Sequence, residues 1–161
     1  MMVMSLQRIL IRREKTMKTI FFYGHKNQYG WLSNFYPTKI LYDNRWWSTS
    51  EHAYQAMKSL SIVDQENVRN AKTPGEAKKR GNSVKYLRED WEEVKYQIMV
   101  EILKVKFSNN TKLLRMLMET GDAELVEKSP TDYIWGCGKD FSGQNLLGKA
   151  LMEIRRYLNE V

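Results

Sequence analysis

The alternation of apolar and polar residues in the first third of the chain predicts three short strands. Residues 19–23 are β-branched or aromatic, and residues 38–42 alternate apolar with polar side chains, as in a half-buried strand. Asp43 and Asn44 supply turn residues, and residues 45–47 begin a third strand after that turn. We therefore predict a small antiparallel sheet built from this part of the chain.

Farther along the chain, helical periodicity predicts five helices and one more strand. The longest helix has an apolar stripe that contains Trp91, Ile98 and Ile102. Residues able to cap a helix precede four of the five helices. They are the hydroxyl residues Ser48–Ser50 for the first, Thr73 for the second, Asp90 for the third and Asn145 for the last. The helices are predicted at residues 51–60, 74–81, 91–107, 111–119 and 146–158, and the strand at residues 125–128.

These elements together predict an α+β fold, a mostly helical single domain with a small antiparallel sheet. A length of 161 residues fits one domain, which we assign to residues 17–161. Residues 1–16 are predicted to be a flexible or loosely packed leader. Their apolar run precedes their basic residues, which is the reverse of the order in a secretory signal.

Composition narrows the classes of function. Cys137 is the one cysteine, so no internal disulfide can form and a cytoplasmic location is expected. The two histidines, His25 and His52, are distant from it in sequence, so we predict no metal site. The sequence contains no apolar stretch long enough to predict a transmembrane helix, and we expect no membrane partner.

The net charge of +7 favours anionic partners such as phosphate-bearing metabolites, nucleotides or nucleic acid. The alternative is a solvated basic surface with no specific ligand. Net charge alone does not distinguish a specific anionic ligand from a solvated surface. The distinction depends on whether polar side chains lie together at one site.

Two segments place polar and aromatic side chains where they can line a pocket. Glu51, Gln55 and Lys58 follow one another at steps of four and three residues, so they lie on one face of the predicted helix. Asp132 and Trp135 precede a glycine-rich stretch, and glycine lets the backbone approach a ligand closely. Ordinary alternatives exist for both segments: a solvent-exposed helix face for the first, and a turn aspartate with a core tryptophan for the second.

Six short motifs occur in one order along nearly all of the chain after about residue 19. They are Phe22-Tyr23, Leu32–Phe35, Thr49–Lys58, Leu87–Trp91, Asp132 with Trp135-Gly136, and Gly143–Arg155. This ordered set resembles the YbiA-like, or NADAR, family of N-glycosidases. One motif would be a weak signal, whereas the ordered set is specific.

The resemblance implies hydrolysis of the bond between the anomeric carbon of a ribose and a nitrogen base. Some members of the family look like damage-control enzymes of the riboflavin pathway, which release ribose 5-phosphate from ribosylamino-pyrimidine 5′-phosphates. Others remove ADP-ribose from guanine bases, so the expected substrate is a phosphorylated ribose N-glycoside or an ADP-ribosylated guanine. A binding module for nucleotides or nucleic acid, without catalysis, is the alternative from another class.

The expected catalytic residues follow from the charges that develop when this bond breaks. Positive charge builds on the sugar and negative charge on the leaving nitrogen, so an acid and a negative group placed on either side lower the barrier. Glu51 and Asp132 are the expected carboxylates, and either can serve as the acid. Lys58 is expected to act electrostatically or to form a Schiff base with the ring-opened sugar.

The residues expected to contact substrate are of three kinds. Trp91 and Trp135 are expected to stack on the base. Ser33 and Asn34 are expected to bond the ribose hydroxyls, and Arg80 and Arg88 to bind the phosphate. We expect no metal and no other cofactor.

Overall fold

The computed structural model describes residues 18–161, so the predicted leader at residues 1–16 lies outside the described range. Within that range the chain forms six α-helices and four short strands, which confirms the predicted α+β class with mostly helical content. In chain order the elements are β1 (Thr19–Phe22), β2 (Ile40–Tyr42), β3 (Arg45–Trp47), α1 (Ser50–Ala56), α2 (Ile62–Arg69), α3 (Pro74–Gly81), α4 (Trp91–Ser108), α5 (Thr111–Glu119), β4 (Glu124–Glu127) and α6 (Leu146–Asn159).

The four strands form two separate two-stranded sheets. β2 and β3 pair antiparallel through Asp43 and Asn44, which both have positive φ, as a two-residue hairpin turn requires. β1 does not belong to this antiparallel sheet and instead pairs in parallel with β4, with Phe22 opposite Glu127. The partner of β1 lies in the last third of the chain, and the local pattern of a strand carries no information about so distant a partner.

Helix α4 lies at the centre of the core, where it packs against α1, α5, α6 and β2. Its predicted stripe is buried at Trp91, Ile98 and Ile102. Met99 and Leu103 are buried as well, so neighbouring elements cover this helix on more than one face. Helix α4 therefore joins α1, α5, α6 and β2 in one core.

Two of the four predicted caps use their side chains at the helix start. Thr49 and Thr73 each accept a hydrogen bond from the backbone N–H three residues later. The Asp90 carboxylate bonds the Arg88 guanidinium instead of the first turn of α4. Asn145 also leaves the first turn of its helix uncapped, because its side chain bonds a strand.

The sequence pattern does not predict α2, and it extends α1 too far. Ile62 and Val63 of α2 are exposed, and Val68 is buried, so the helix has no apolar stripe to reveal it. Helix α1 ends at Ala56, which places Lys58 just beyond the helix.

Asn145 joins the start of α6 to the edge of β4. Its backbone has φ of 51°, in the left-handed region. Its Oδ1 accepts a hydrogen bond from the Glu127 N–H at 3.0 Å, and its Nδ2 donates one to the Leu125 carbonyl at 2.9 Å. The side chain thus satisfies two backbone groups of β4 that face away from β1, and it fixes the end of β4.

We expect Asn145→Ala to lower the free energy of unfolding by about 2–4 kcal/mol, because two hydrogen bonds to the backbone are lost and alanine is strained at positive φ. Asn44→Ala is the matched control, since Asn44 also has positive φ and its side chain makes no hydrogen bond in the described part of the chain. Asn44→Ala should lower the free energy of unfolding by about 1 kcal/mol. Denaturant unfolding measures both variants, and equal losses would contradict the role assigned to Asn145.

A lysine is buried in the core. Lys106 on α4 is 1% exposed, and its Nζ donates a hydrogen bond to the Ser33 carbonyl at 2.9 Å. Burial lowers the pKa of Lys106 from its ordinary 10.5 to about 7, because the charged form loses its hydration. Because the pKa of Lys106 is lower in the folded protein than in the unfolded chain, the contribution of Lys106 to stability is fully present above pH 10.5. That contribution is lost as the pH falls toward 7.

We expect Lys106→Met to stabilise the protein, and to do so by about 2–3 kcal/mol more at pH 6 than at pH 9, because methionine has no charged form to bury. Lys104→Met on the same helix is the control, since Lys104 is only half-buried and lies over the Tyr157 ring. Unfolding titrations at the two pH values measure the difference. A gain independent of pH would show that Lys106 does not titrate in the folded state.

Candidate active site

A cavity of about 210 Å³ lies among helix α1, the end of α3 and the loop that follows β4. Six of the nine predicted site residues line it: Ser33, Asn34, Glu51, Lys58, Asp132 and Trp135. The other three, Trp91, Arg80 and Arg88, do not line it. The two segments singled out in the sequence therefore share one cavity.

Glu51 lies in the first turn of α1 and is buried. Its Oε1 accepts a hydrogen bond from Gln55 Nε2 at 2.8 Å, one helical turn later. Burial raises the pKa of Glu51, whereas the Gln55 hydrogen bond and the charges of Lys78 and Lys58 act in the opposite direction. The carboxyl group is thus held in place by its own helix and is sensitive to the cations near it.

Lys58 reaches the cavity from the turn after α1. Its Nζ donates a hydrogen bond to Asn82 Oδ1 at 2.8 Å, which ties it to the end of α3. Burial lowers the pKa of Lys58, and the nearby Glu51 carboxylate opposes that shift. Lys78 of α3 also lines the cavity, so two amines face the same space.

Asp132 and Trp135 are fixed by hydrogen bonds within their loop. Asp132 Oδ1 accepts from the backbone N–H groups of Ile134 at 2.9 Å and Trp135 at 2.8 Å. The Asp132 N–H in turn donates to Ser129 Oγ at 3.0 Å. These bonds occupy one carboxylate oxygen, and the structure gives Oδ2 no hydrogen bond within residues 18–161.

Ser33 and Asn34 also line the cavity, and both are buried. Asn34 Oδ1 accepts a hydrogen bond from Ser50 Oγ at 2.9 Å, and the Asn34 carbonyl accepts one from the Glu51 N–H at 3.1 Å. Asn34 Nδ2 contacts the Met99 sulfur, a weak acceptor, at 3.4 Å. This amide is thus available to a better acceptor, while the remaining bonds secure the start of α1.

Three aromatic rings contact one another in series at one wall of the cavity, with Tyr54 between Trp135 and Trp91. Tyr54 contacts Trp135 edge to face, with ring centroids 5.2 Å apart, and contacts Trp91 at the same separation. Trp91, which was expected to stack on a base, is buried, does not line the cavity and packs against Tyr54. Trp135 lines the cavity itself.

Both predicted arginines are engaged elsewhere. Arg80 pairs with Glu76 at 2.6 Å and donates to the Asn67 carbonyl. Arg88 forms two hydrogen bonds with the Asp90 carboxylate. Each guanidinium is held by an acidic neighbour outside the cavity. The sequence spacing alone does not indicate in which direction such long side chains extend.

Three further polar residues that were not predicted from the sequence line the cavity, namely Lys78, Asn82 and Glu127. Glu127 is the last residue of β4, and burial raises its pKa to about 7, with Asp132 and Glu51 adding to the shift. In the sequence Glu127 follows the apolar pair Leu125 and Val126, and the charged residues Glu124 and Lys128 lie on either side of this run, so the local pattern contained no signal that Glu127 lines a cavity.

Neither a metal site nor a membrane span is found in the described residues. Within residues 18–161, the histidine, cysteine and carboxylate side chains form no group of three suited to hold a metal ion. No helix in the same range is long and apolar enough to cross a bilayer. Besides Tyr54, the ionisable side chains that line the cavity are carboxyl groups and amines.

The chain matches a known class of proteins over most of its length. The model of the NADAR domain family matches residues 21–159. An N-glycosidase of Nostoc punctiforme is 42% identical over 147 residues, which is 89% of this chain and 94% of that protein. The chain therefore belongs to the NADAR domain family.

Two other relatives are similar over most of this chain. N-glycosidase YbiA of Escherichia coli is 40% identical over 86% of this chain and 88% of its own length. Its NMR structure superposes with a TM-score of 0.82, covering 89% of this chain and 86% of that one. A riboflavin biosynthesis protein of Vibrio vulnificus is 37% identical over 93% of this chain, which spans 41% of that longer protein.

The contact between Gly81 and Gln55 supports the cavity wall. A Cβ at Gly81 would lie 2.2 Å from Gln55 Oε1, so a larger residue there would displace the amide that bonds Glu51. We expect Gly81→Ala to lower the unfolding free energy by about 1–3 kcal/mol and the kcat/KM by about tenfold.

Gly75→Ala is the matched control in the same helix, since a Cβ there meets nothing closer than 3.9 Å. It should leave kcat/KM unchanged and stabilise the protein slightly, by at most about 1 kcal/mol. Thermal unfolding and steady-state kinetics of the two variants test the contact. Similar behaviour of the two alanine variants would contradict it.

Proposed function

We propose that this N-glycosidase hydrolyses the bond between ribose and base in ribosylamino-pyrimidine 5′-phosphates, which yields ribose 5-phosphate and the free pyrimidine. The observation that carries the proposal is the shared cavity, in which Glu51 and Lys58 face Asp132 and Trp135. The similarity to a riboflavin biosynthesis protein of Vibrio vulnificus supports this substrate class.

The volume of the cavity favours a small substrate. At about 210 Å³ it is smaller than the ~300–1,000 Å³ typical of sites that enclose drug-sized ligands. One ribose and one pyrimidine ring fit that scale better than an ADP-ribosylated guanine, which carries a second nucleoside and a diphosphate. The ADP-ribosyl substrate is therefore the second candidate, favoured only by the net charge of +7.

Lys58 is the proposed nucleophile. Burial lowers the pKa of Lys58 and raises that of Glu51, so both charged forms are disfavoured and a neutral amine is accessible. A ribosylamine opens to an imine between its anomeric carbon and the base nitrogen. The Lys58 amine adds to that carbon, the base departs with its nitrogen protonated, and water hydrolyses the new lysine imine to ribose 5-phosphate.

The two predicted carboxylates have different surroundings, which suggests different roles. The Asp132 oxygen without a hydrogen-bond partner in its loop is suited to hold ribose hydroxyls and to stabilise positive charge at the anomeric carbon. Glu51 is close enough to Lys58 to affect its pKa, so it is suited to exchange a proton with that amine.

The remaining cavity residues account for recognition of the substrate. Trp135 offers a ring to the flat base, a contact worth about 1–3 kcal/mol. Ser33 and Asn34 are placed to bond ribose hydroxyls. For the 5′-phosphate, Lys78 replaces the arginines expected from the sequence, because it lines the cavity and they do not.

Parallel incubation with a ribosylamino-pyrimidine 5′-phosphate and with ADP-ribosyl-guanosine tests the substrate. Mass spectrometry should detect ribose 5-phosphate from the first, whereas release of ADP-ribose from the second alone would favour the other substrate. Glu51→Gln and Asp132→Asn should each lower kcat/KM by about 10²–10⁴-fold. Unchanged turnover in both variants would remove these carboxylates from the chemistry.

Borohydride reduction during turnover tests the lysine imine. Wild-type protein should gain a stable pentose phosphate adduct on the peptide that contains Lys58, and Lys58→Ala should gain none. Lys78→Ala is the control, since it should keep the adduct at saturating substrate while its KM rises. No adduct on the wild type, or equal trapping in Lys58→Ala, would rule out the covalent step.

A further inference from the structure

Glu127 is a carboxylic acid in the cavity that the proposed mechanism does not yet use. It lies at the end of β4, lines the cavity together with Glu51 and Asp132, and is partly buried. Its side chain makes no hydrogen bond or ion pair within the described part of the chain. A partly buried acid that faces two other carboxyl groups without a hydrogen-bond partner is costly to the fold, so its presence beside the proposed reaction centre requires an explanation.

The backbone holds Glu127 firmly in this position. Its N–H donates to Asn145 Oδ1 at 3.0 Å, and its carbonyl accepts from the Cys137 N–H at 2.9 Å. Gly136 packs against that same carbonyl, since a Cβ at Gly136 would lie 3.0 Å from it. These contacts place Glu127 beside the segment that follows Trp135, where the proposed base would stack.

The three carboxyl groups of the cavity differ in their partners. Glu51 accepts a hydrogen bond from Gln55, and Asp132 accepts two from the backbone of its own loop, so both have bonds that favour the ionised form. Glu127 has no such bond. Its carboxyl group therefore lacks the hydrogen bonds that favour the ionised form in the other two, and it is free to donate a proton into the cavity.

The ionisable groups that face Glu127 come from three elements. They are Glu51 on α1, Lys78 on α3 and Asp132 in the loop after β4. Burial is the main cause that raises the pKa of Glu127 to about 7, the two carboxylates raise it further, and Lys78 opposes them. An acid with such a pKa is near the optimum for proton transfer at neutral pH.

We propose that Glu127 is the general acid that protonates the leaving nitrogen of the base, an inference that rests on the N-glycoside hydrolysis proposed above. As the bond between the anomeric carbon and nitrogen breaks, its electron pair stays on nitrogen and the Glu127 proton moves to it. The carboxylate that remains takes a proton from the water that later attacks the anomeric carbon, which restores the acid. The step is the same whether Lys58 or water is the first nucleophile.

Glu127→Gln tests the assignment, with Glu124→Gln as the control, because Glu124 is an exposed residue of the same strand that does not line the cavity. The substrates are ribosylamino-uracil 5′-phosphate and its 5-nitro analogue, whose nitro group stabilises the leaving nitrogen without a proton. Glu127→Gln should lower kcat about 10²–10⁴-fold on the first substrate and at most about tenfold on the second. Glu124→Gln should match the wild type on both.

The pH profile provides a second readout that a merely structural role would not produce. The wild-type kcat/KM should fall above about pH 7 as Glu127 loses its proton, and this alkaline limb should be absent in Glu127→Gln. Glu127→Asp should keep the limb at a lower rate, and it replaces Glu127→Gln if that variant does not fold. Equal losses on both substrates, or an alkaline limb that survives in Glu127→Gln, would overturn the assignment.

The two proposals fail in different ways. Wild-type protein that releases no ribose 5-phosphate from either substrate would contradict the proposed function, and with it the inference. Wild-type turnover with a Glu127→Gln variant of equal activity would overturn the role of Glu127 alone.

Discussion

The arrangement of the cavity depends on one side chain that joins a strand to a helix. Asn145 adopts a left-handed backbone conformation and bonds both the N–H and the C=O groups of β4, 18 and 20 residues earlier in the chain. Both ends of the intervening loop are thereby fixed, and the internal bonds of Asp132 fix its middle. The loop can therefore present Asp132 and Trp135 to helix α1 as a rigid wall, with little entropy to lose when a ligand binds.

The elements that local chemistry specifies were predictable, and the contacts between distant elements were not. The hairpin of β2 and β3 followed from Asp43 and Asn44, and most helices followed from their apolar periodicity. The parallel pairing of β1 with β4 joins segments about a hundred residues apart, so no local pattern specifies it. Asn145 resembles a helix cap in the sequence, but its side chain bonds β4, and no local pattern indicates so distant a partner.

In the candidate site, too, the residues specified by local spacing were predictable, and those brought there by distant contacts were not. Glu51 and Gln55 line one wall as their helical spacing predicted, since residues four apart share a face of α1. Lys58 lines the same cavity from the turn beyond the helix. The two arginines expected to bind the phosphate do not line the cavity in this structure, where Arg80 pairs with Glu76 and Arg88 with Asp90. Glu127 lies in a short strand run that was interpreted as structure alone, and only the three-dimensional arrangement reveals that its carboxyl group faces the cavity.

The buried amine of Lys106 limits which residue can occupy its position. The core tolerates this side chain because its nitrogen can release a proton and remain a neutral hydrogen-bond donor to Ser33. A guanidinium has no such neutral form in proteins, and it would carry its full charge into the same apolar surroundings. Replacement by arginine, which is conservative by charge, should therefore be less tolerated here than replacement by an uncharged chain of similar length.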